Sequence, residues 1–118
     1  MTARRKRGIS FEQLSGFART LPGLEEGFSY GTPAFRVRKK FLGRQLDAGE
    51  SFVIRLSFEM RDDLVASDPK AFVVTPHYEG SPMLVVRLAE VDRGLLEDLL
   101  VTGWKMLASK GQLAEWEG

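Results

Sequence analysis

The chain has 118 residues, 43% of them apolar and 28% charged, which is the composition of one globular domain and too rich in core-forming residues for a disordered segment. It contains no cysteine, which excludes disulfide bonds, thiolate zinc sites and cysteine nucleophiles and favours a cytoplasmic protein. Its apolar runs are only a few residues long, as at 84–86, so we expect neither a membrane span nor a signal peptide.

Positive charge is concentrated at the start of the chain. Seventeen Lys and Arg face sixteen Asp and Glu, which gives a net charge of +1. Four of the seventeen cations lie at residues 4–7, so residues 8–118 carry the other thirteen against all sixteen acids, a net charge of −3. We expect residues 1–8 to form a basic flexible tail ahead of a single domain of residues 9–118, because they show no apolar periodicity.

The first predicted element is a helix. Ser10 and Gln13 form a capping-box pattern, apolar residues then recur at steps of three and four, and residues 22–23 (Pro-Gly) end the pattern. Three glycines follow within residues 23–31, and they predict turns.

Three strands are predicted next. Apolar and polar residues alternate over residues 34–56, with breaks at 39–40 and 48–50, which indicates an antiparallel meander. The middle strand has adjacent apolar residues at 41–42, so we expect a β-bulge in it.

The second half of the chain predicts two helices and two strands. Ser57 begins a short helix that ends at residues 68–69 (Asp-Pro). Two strands follow at 71–75 and 83–89, with a loop rich in proline between them.

Asp92 begins the last predicted helix, which Lys110 and Gly111 close. The fold class is therefore α+β: a five-stranded antiparallel sheet with helices on one face, in the order α-β-β-β-α-β-β-α.

The residues contain no recognisable catalytic motif. The one histidine, His77, is in a loop, where a hydrogen-bonding or stacking role is commoner than a role as base. The glycine-rich nucleotide motifs, the hydrolase elbow and the metal-ligand spacings are all missing from the sequence. We therefore expect no cofactor, no metal ion and no enzymatic activity.

A basic segment at residues 36–44 is the strongest candidate for a binding surface, because it holds five cations and no acid. Arg36 and Arg38 alternate with apolar residues, so they are predicted to face away from the helices. If Arg55 and Arg87 share that face, a basic strip crosses the sheet; the alternative is a solvated face whose arginines pair with nearby acids. The candidate nucleic-acid contacts are Arg36, Arg38, Lys39, Lys40, Arg44, Arg55 and Arg87.

Two separated motifs carry a family resemblance. Residues 21–27 (LPGLEEG) and 29–37 (SYGTPAFRV) form the first, and residues 73–82 (VVTPHYEGSP) with the strand at 84–88 (LVVRL) form the second. In this order they resemble the YjbR/MmcQ-like bacterial proteins, over a stretch that runs from about residue 11 to the end of the chain. The resemblance implies a two-layer α+β fold of the secretion-chaperone-like type and a role in DNA binding.

The two motifs also predict a shared site. Residues 29–33 and 75–82 are unusually rich in proline, glycine and hydroxyl groups for connecting segments, so we expect them to lie close together at one end of the sheet. The candidate residues of this site are Tyr30, Thr32, Pro33, Thr75, Pro76, His77 and Tyr78.

Three hypotheses for function remain open. The first is a small cytoplasmic, non-enzymatic domain that binds DNA weakly through the basic segment, the His77–Tyr78 loop and the tail. The second is a protein-binding or dimerising module that uses the open face or an edge of the sheet, with a second copy or another protein as partner. The third is a small-ligand binder or an enzyme with Tyr30, His77 and Tyr78 around a cleft.

Overall fold

The computed structural model describes residues 7–118, so residues 1–6 of the predicted tail lie outside the described residues. Arg7 and Gly8, which the sequence analysis assigns to that tail, pair with the segment before the third helix. The Gly8 amide donates to the Val91 carbonyl at 2.8 Å, and Arg7 forms an isolated antiparallel bridge with Asp92. Arg7 and Gly8 are therefore attached to the domain.

Six strands form one antiparallel sheet: β1 (Leu24–Ser29), β2 (Thr32–Val37), β3 (Lys40–Leu46), β4 (Ser51–Arg55), β5 (Phe72–Val73) and β6 (Met83–Arg87). Across the sheet they follow the order β1-β2-β3-β4-β6-β5. Four helices accompany it: α1 (Phe11–Ala18), α2 (Phe58–Ser67), α3 (Arg93–Leu107) and α4 (Lys110–Glu117). The α+β class is confirmed. The predicted sheet of five strands and the predicted element order are wrong, because the structure has one more strand and one more helix than the sequence analysis predicts. None of these helices combines the length and apolar character needed to cross a bilayer.

The additional strand is β1, which occupies the segment predicted as turns. Gly23 and Gly31 do adopt left-handed backbones, with φ of 73° and 78°, and they flank the strand. Gly27 between them lies in the strand and pairs with Ala34 of β2. Strand preference depends on neighbouring strands more than on the residue itself, so pairing with β2 outweighs the local preference of this glycine for turns.

The additional helix is α4, at the place where Lys110 and Gly111 were expected to close the last helix. α3 ends at Leu107, and α4 starts at Lys110. The Ser109 hydroxyl accepts from the Gln112 amide at 3.1 Å, and the Gln112 side chain accepts from the Ser109 amide at 2.9 Å. This capping box satisfies two amide donors at a helix start, so a new helix begins where the sequence was interpreted as a stop.

The β-bulge expected in the middle strand is present in β3. Phe35 of β2 opposes Gly43, whereas the next residue, Arg36, opposes Phe41, so Leu42 is the extra residue. Leu42 is fully buried in the core. The bulge thus turns Leu42 towards the helices and leaves Phe41 on the other face of the sheet.

The core lies between the helices and one face of the sheet. Phe11 of α1 stacks on Phe35 with ring centres 5.7 Å apart, and Phe52 lies 5.6 Å from Phe35. Trp104 of α3 is fully buried, and its indole N–H donates to the Pro22 carbonyl at 2.8 Å. The opposite face of the sheet is called the outer face below, and two of its residues, Val53 and Val85, are buried as well.

Candidate functional site

Four of the predicted cations lie on the outer face: Arg36, Arg44, Arg55 and Arg87. Residues that oppose each other across paired strands share a face. Arg55 opposes the first residue of β6, and Arg87 is the last residue of that strand. These two side chains share the outer face, as the hypothesis of a basic strip requires, and they are about 13 Å apart along the strands.

A cleft of about 330 Å³, called the outer cleft below, opens between the β1–β2 turn and the loop of residues 76–82. It is lined by Ser29, Tyr30, Arg36, Phe41, Arg44, His77, Tyr78 and Met83. None of these described lining residues is acidic, and two of them, Arg36 and Arg44, are arginines. The outer cleft thus combines residues from the hairpin turn, the basic segment and the proline-rich loop.

Arg44 connects the two sides of the outer cleft. Its Nη1 donates to the Thr32 hydroxyl at 3.3 Å, and its Nη2 donates to the Tyr78 hydroxyl at 2.9 Å. Its guanidinium carbon also lies 5.4 Å from the centre of the Tyr30 ring. The prediction that the two motifs lie close together is confirmed, because the planar guanidinium of one arginine contacts both of them.

The other cations of the basic segment are not part of the outer cleft. Arg38 and Lys39 form the β2–β3 turn with φ of 54° and 67°. This turn breaks the alternation of the strand, and Arg38 Nη1 donates to the Leu107 carbonyl of α3 at 3.5 Å. The expectation that Arg38 faces away from the helices is therefore wrong. Lys40 is exposed at the start of β3.

Three residues of the predicted loop site shape the backbone and do not line the outer cleft. Pro33 lines a different cavity, beside Phe11 of α1. Pro76 begins a short 3-10 turn, and the Thr75 carbonyl accepts from the Tyr78 amide at 2.9 Å. These contacts hold the Tyr78 ring where Arg44 can reach it.

Sequence reasoning missed Arg61, which holds the loop in place. Its side chain is buried in α2, and its Nη1 donates to the carbonyls of Tyr78, Glu79 and Ser81 at 3.3, 3.1 and 2.8 Å. A signal was present: Arg61 precedes Leu64 by three residues, so it occupies the inward side of the helix. An arginine on that side needs buried acceptors, and the loop carbonyls provide them.

Comparisons with known proteins place the chain next to uncharacterised relatives. No family model matches it. Over 69 residues it is 36% identical to the uncharacterized proteins Rv2570 of Mycobacterium tuberculosis and Mb2600 of Mycobacterium bovis. The aligned segment is 58% of this chain and 54% of each relative, so the chain spans about half the length of the curated relatives it matches.

A solved structure resembles the whole domain. It is the crystal structure of the Deinococcus radiodurans protein DR2400, a DUF419 domain, and it matches 97% of this chain and 92% of that chain with a TM-score of 0.76. The chain shares the fold of this solved domain. Sequence identity is 16%, so the likeness concerns the architecture.

The side chains around the outer cleft decide what it can bind. Among residues 7–118, no three His, Cys, Asp or Glu side chains converge as metal ligands would. The outer cleft instead offers guanidinium donors between aromatic rings. This combination is suited to an anion that is attached to a flat ring.

Proposed function

We propose that this protein is a small, non-enzymatic binding domain of the YjbR/MmcQ type that binds nucleic acid through phosphate contacts in the outer cleft. The observation that supports this function is the position of Arg44, which lies between the two loop motifs and joins them. A phosphate suits a planar guanidinium, because two parallel N–H groups can donate to two of its oxygens.

Arg36 is the second phosphate contact of this proposal. Its Nη1 donates to the Phe28 carbonyl at 3.3 Å, and a guanidinium has five N–H donors in all. Arg36 and Arg44 are both half-buried, so they are more ordered than the exposed cations at residues 38–40. Ordered donors lose less side-chain entropy when a ligand binds.

The charge of the domain supports weak binding. Residues 7–118 hold fourteen Lys and Arg against sixteen Asp and Glu, a net charge of −2, so a nucleic acid meets repulsion outside the outer cleft. Two phosphate contacts alone give modest affinity that falls as salt rises. The domain is thus expected to depend on additional contacts for tight binding.

The alternative of a dimerising module would use the edge of the sheet at β1. In the described part of the chain β1 is an outermost strand. Its sequence contains two adjacent glutamates and a glycine, which are features that weaken edge-to-edge pairing. The outer cleft is therefore the better-supported binding site.

Substitution of the two arginines tests the proposed function. In the full chain, we expect the double change Arg36→Gln and Arg44→Gln to lower the slope of log affinity against log salt by about 1.4 for a single strand or about 1.8 for a duplex. Fluorescence anisotropy of labelled oligonucleotides over a range of salt concentrations measures this slope.

The matched control is the double change Arg38→Gln and Arg87→Gln, which removes the same charge away from the outer cleft. It should leave most of the slope in place. Equal losses in the two double variants would show that only net charge matters, and an absence of binding to any oligonucleotide at low salt would refute the proposed function.

A further inference from the structure

We infer that the nucleic acid bound in the outer cleft is a single strand, with an unpaired base stacked on Tyr30. This inference rests on the proposed function and specifies its ligand. The side chain of Tyr30 is 91% exposed at the tip of the β1–β2 hairpin. It has a φ of 52°, and Gly31 after it has a φ of 78°, so the two central residues of the turn are both left-handed.

The residue type at this position is unusual for such a turn. Two-residue turns with positive φ at both central positions prefer asparagine, aspartate or glycine, because a larger side chain strains the backbone there. Tyr30 contributes little to the core because it is almost fully exposed. An exposed aromatic ring in a strained position is better explained by a ligand than by stability.

The neighbours of Tyr30 complete a stacking site. The guanidinium of Arg44 lies 5.4 Å from the ring centre, on the side of the outer cleft. On the other wall the exposed ring of His77 packs edge-on against Tyr78, with centres 4.7 Å apart. Cations between aromatic surfaces are the combination by which proteins hold the backbone and bases of single strands.

The geometry favours a single strand over a duplex. In a duplex the bases are stacked on one another and offer only their edges in the grooves, so an aromatic ring has no base face to cover. In a single strand an unstacked base can turn its face to the ring. The outer cleft, at about 330 Å³, is also at the small end of ligand sites, which suits one nucleotide at a time.

Competition between strands tests the inference in the full chain. The probes are a labelled oligothymidylate of about twelve nucleotides, its ribonucleotide counterpart and a duplex of the same length. We expect both single strands to bind more tightly than the duplex at equal salt. Whichever single strand binds more tightly then identifies the ligand as DNA or RNA. The inference would be overturned if free thymidine monophosphate displaced the labelled strand as effectively as the unlabelled strand does.

The decisive variant is Tyr30→Asn. Asparagine suits the left-handed turn, so the hairpin should remain folded while the ring is removed. We expect single-strand affinity to fall by at least about five-fold, and Tyr30→Phe to retain it. Phe28→Val is the matched control, because it removes a ring that is 71% exposed on the same hairpin but faces the other side of the sheet.

The outcomes separate this inference from the proposed function. If Tyr30→Asn binds as wild type does, or the duplex binds as tightly as the single strands, while the Arg36 and Arg44 changes still weaken binding, the inference is wrong and the proposed function stands. If neither the single strands nor the duplex bind at low salt, both are wrong. Thermal unfolding of each variant confirms that losses of affinity do not come from loss of the fold.

Discussion

Arg61 is the side chain on which the shape of the proline-rich loop depends. It is 8% exposed and donates to three loop carbonyls, while its Nε donates to Asp62 at 2.9 Å. The Phe58 ring lies 5.0 Å from its guanidinium carbon. A buried cation is tolerated here because the carbonyl dipoles and the ring solvate it. The position of Tyr78 in the outer cleft therefore depends on a residue outside it.

The change Arg61→Ala should lower the free energy of unfolding by about 2 kcal/mol, because the loop carbonyls lose charge-assisted hydrogen bonds. Urea denaturation with an unchanged m-value measures the loss. Arg55→Ala, at an exposed arginine of the outer face, should change stability by no more than about 0.5 kcal/mol. Equal stability of the two variants would contradict this role for Arg61.

At the scale of the element, β3 depends on a glycine next to the site. A Cβ atom at Gly43 would lie 2.6 Å from the Val53 carbonyl oxygen and closer still to the Phe52 ring. The absence of a side chain thus lets the Phe52 ring cross β3 and reach Phe35. Arg44, the next residue, points to the outer face from this tightly packed strand, which fixes the position of its backbone.

Two glycine substitutions with opposite expected effects on stability test this packing. Gly43→Ala should destabilise the fold by about 1–3 kcal/mol, since neither the ring nor the carbonyl has space to move. Gly16→Ala in α1 has nothing within 4 Å of the new Cβ and should stabilise by about 0.5–1 kcal/mol through higher helix propensity. Thermal unfolding measures both, and a neutral Gly43→Ala would show that β3 is less constrained than these distances indicate.

At the scale of the whole molecule, charge is divided between the start of the chain and the folded body. Arg7 belongs to the body: its Nη1 donates to the Glu90 carbonyl at 2.9 Å and lies 3.8 Å from Asp68. The cations that remain at the start are Arg4, Arg5 and Lys6, and they precede a domain of net negative charge. For the proposed function there are thus two sets of cations to compare, those of the outer cleft and those of the first residues.

We expect the first residues to supply more of the affinity than the outer cleft does. Changing Arg4, Arg5 and Lys6 to Gln in the full chain should lower the salt slope for a single strand by up to about 2.1, against about 1.4 for the two arginines of the outer cleft. The same anisotropy titration measures both. A slope unchanged by the three substitutions would show that the domain alone makes the contacts.

The sequence by itself determined the features that depend on a few neighbouring residues. Ser10, Ser57 and Asp92 each cap the helix predicted after them, because a capping bond joins residues only three apart. The alternation in β2 and β4 and the bulge in β3 were also readable, since the period of two decides which face of the sheet each side chain points to.

Only the tertiary structure decided which segments meet. Gly27 is in a strand because β2 pairs with it. Arg38 contacts α3 because the turn before β3 breaks the alternation of the strand and directs the Arg38 side chain towards the helices. Arg44 reaches Tyr78 across 34 positions of sequence, and Arg61 reaches the same loop from a helix. Such contacts depend on strand register and on the packing of separate elements. The residues next to a given position in the sequence determine neither the register nor the packing.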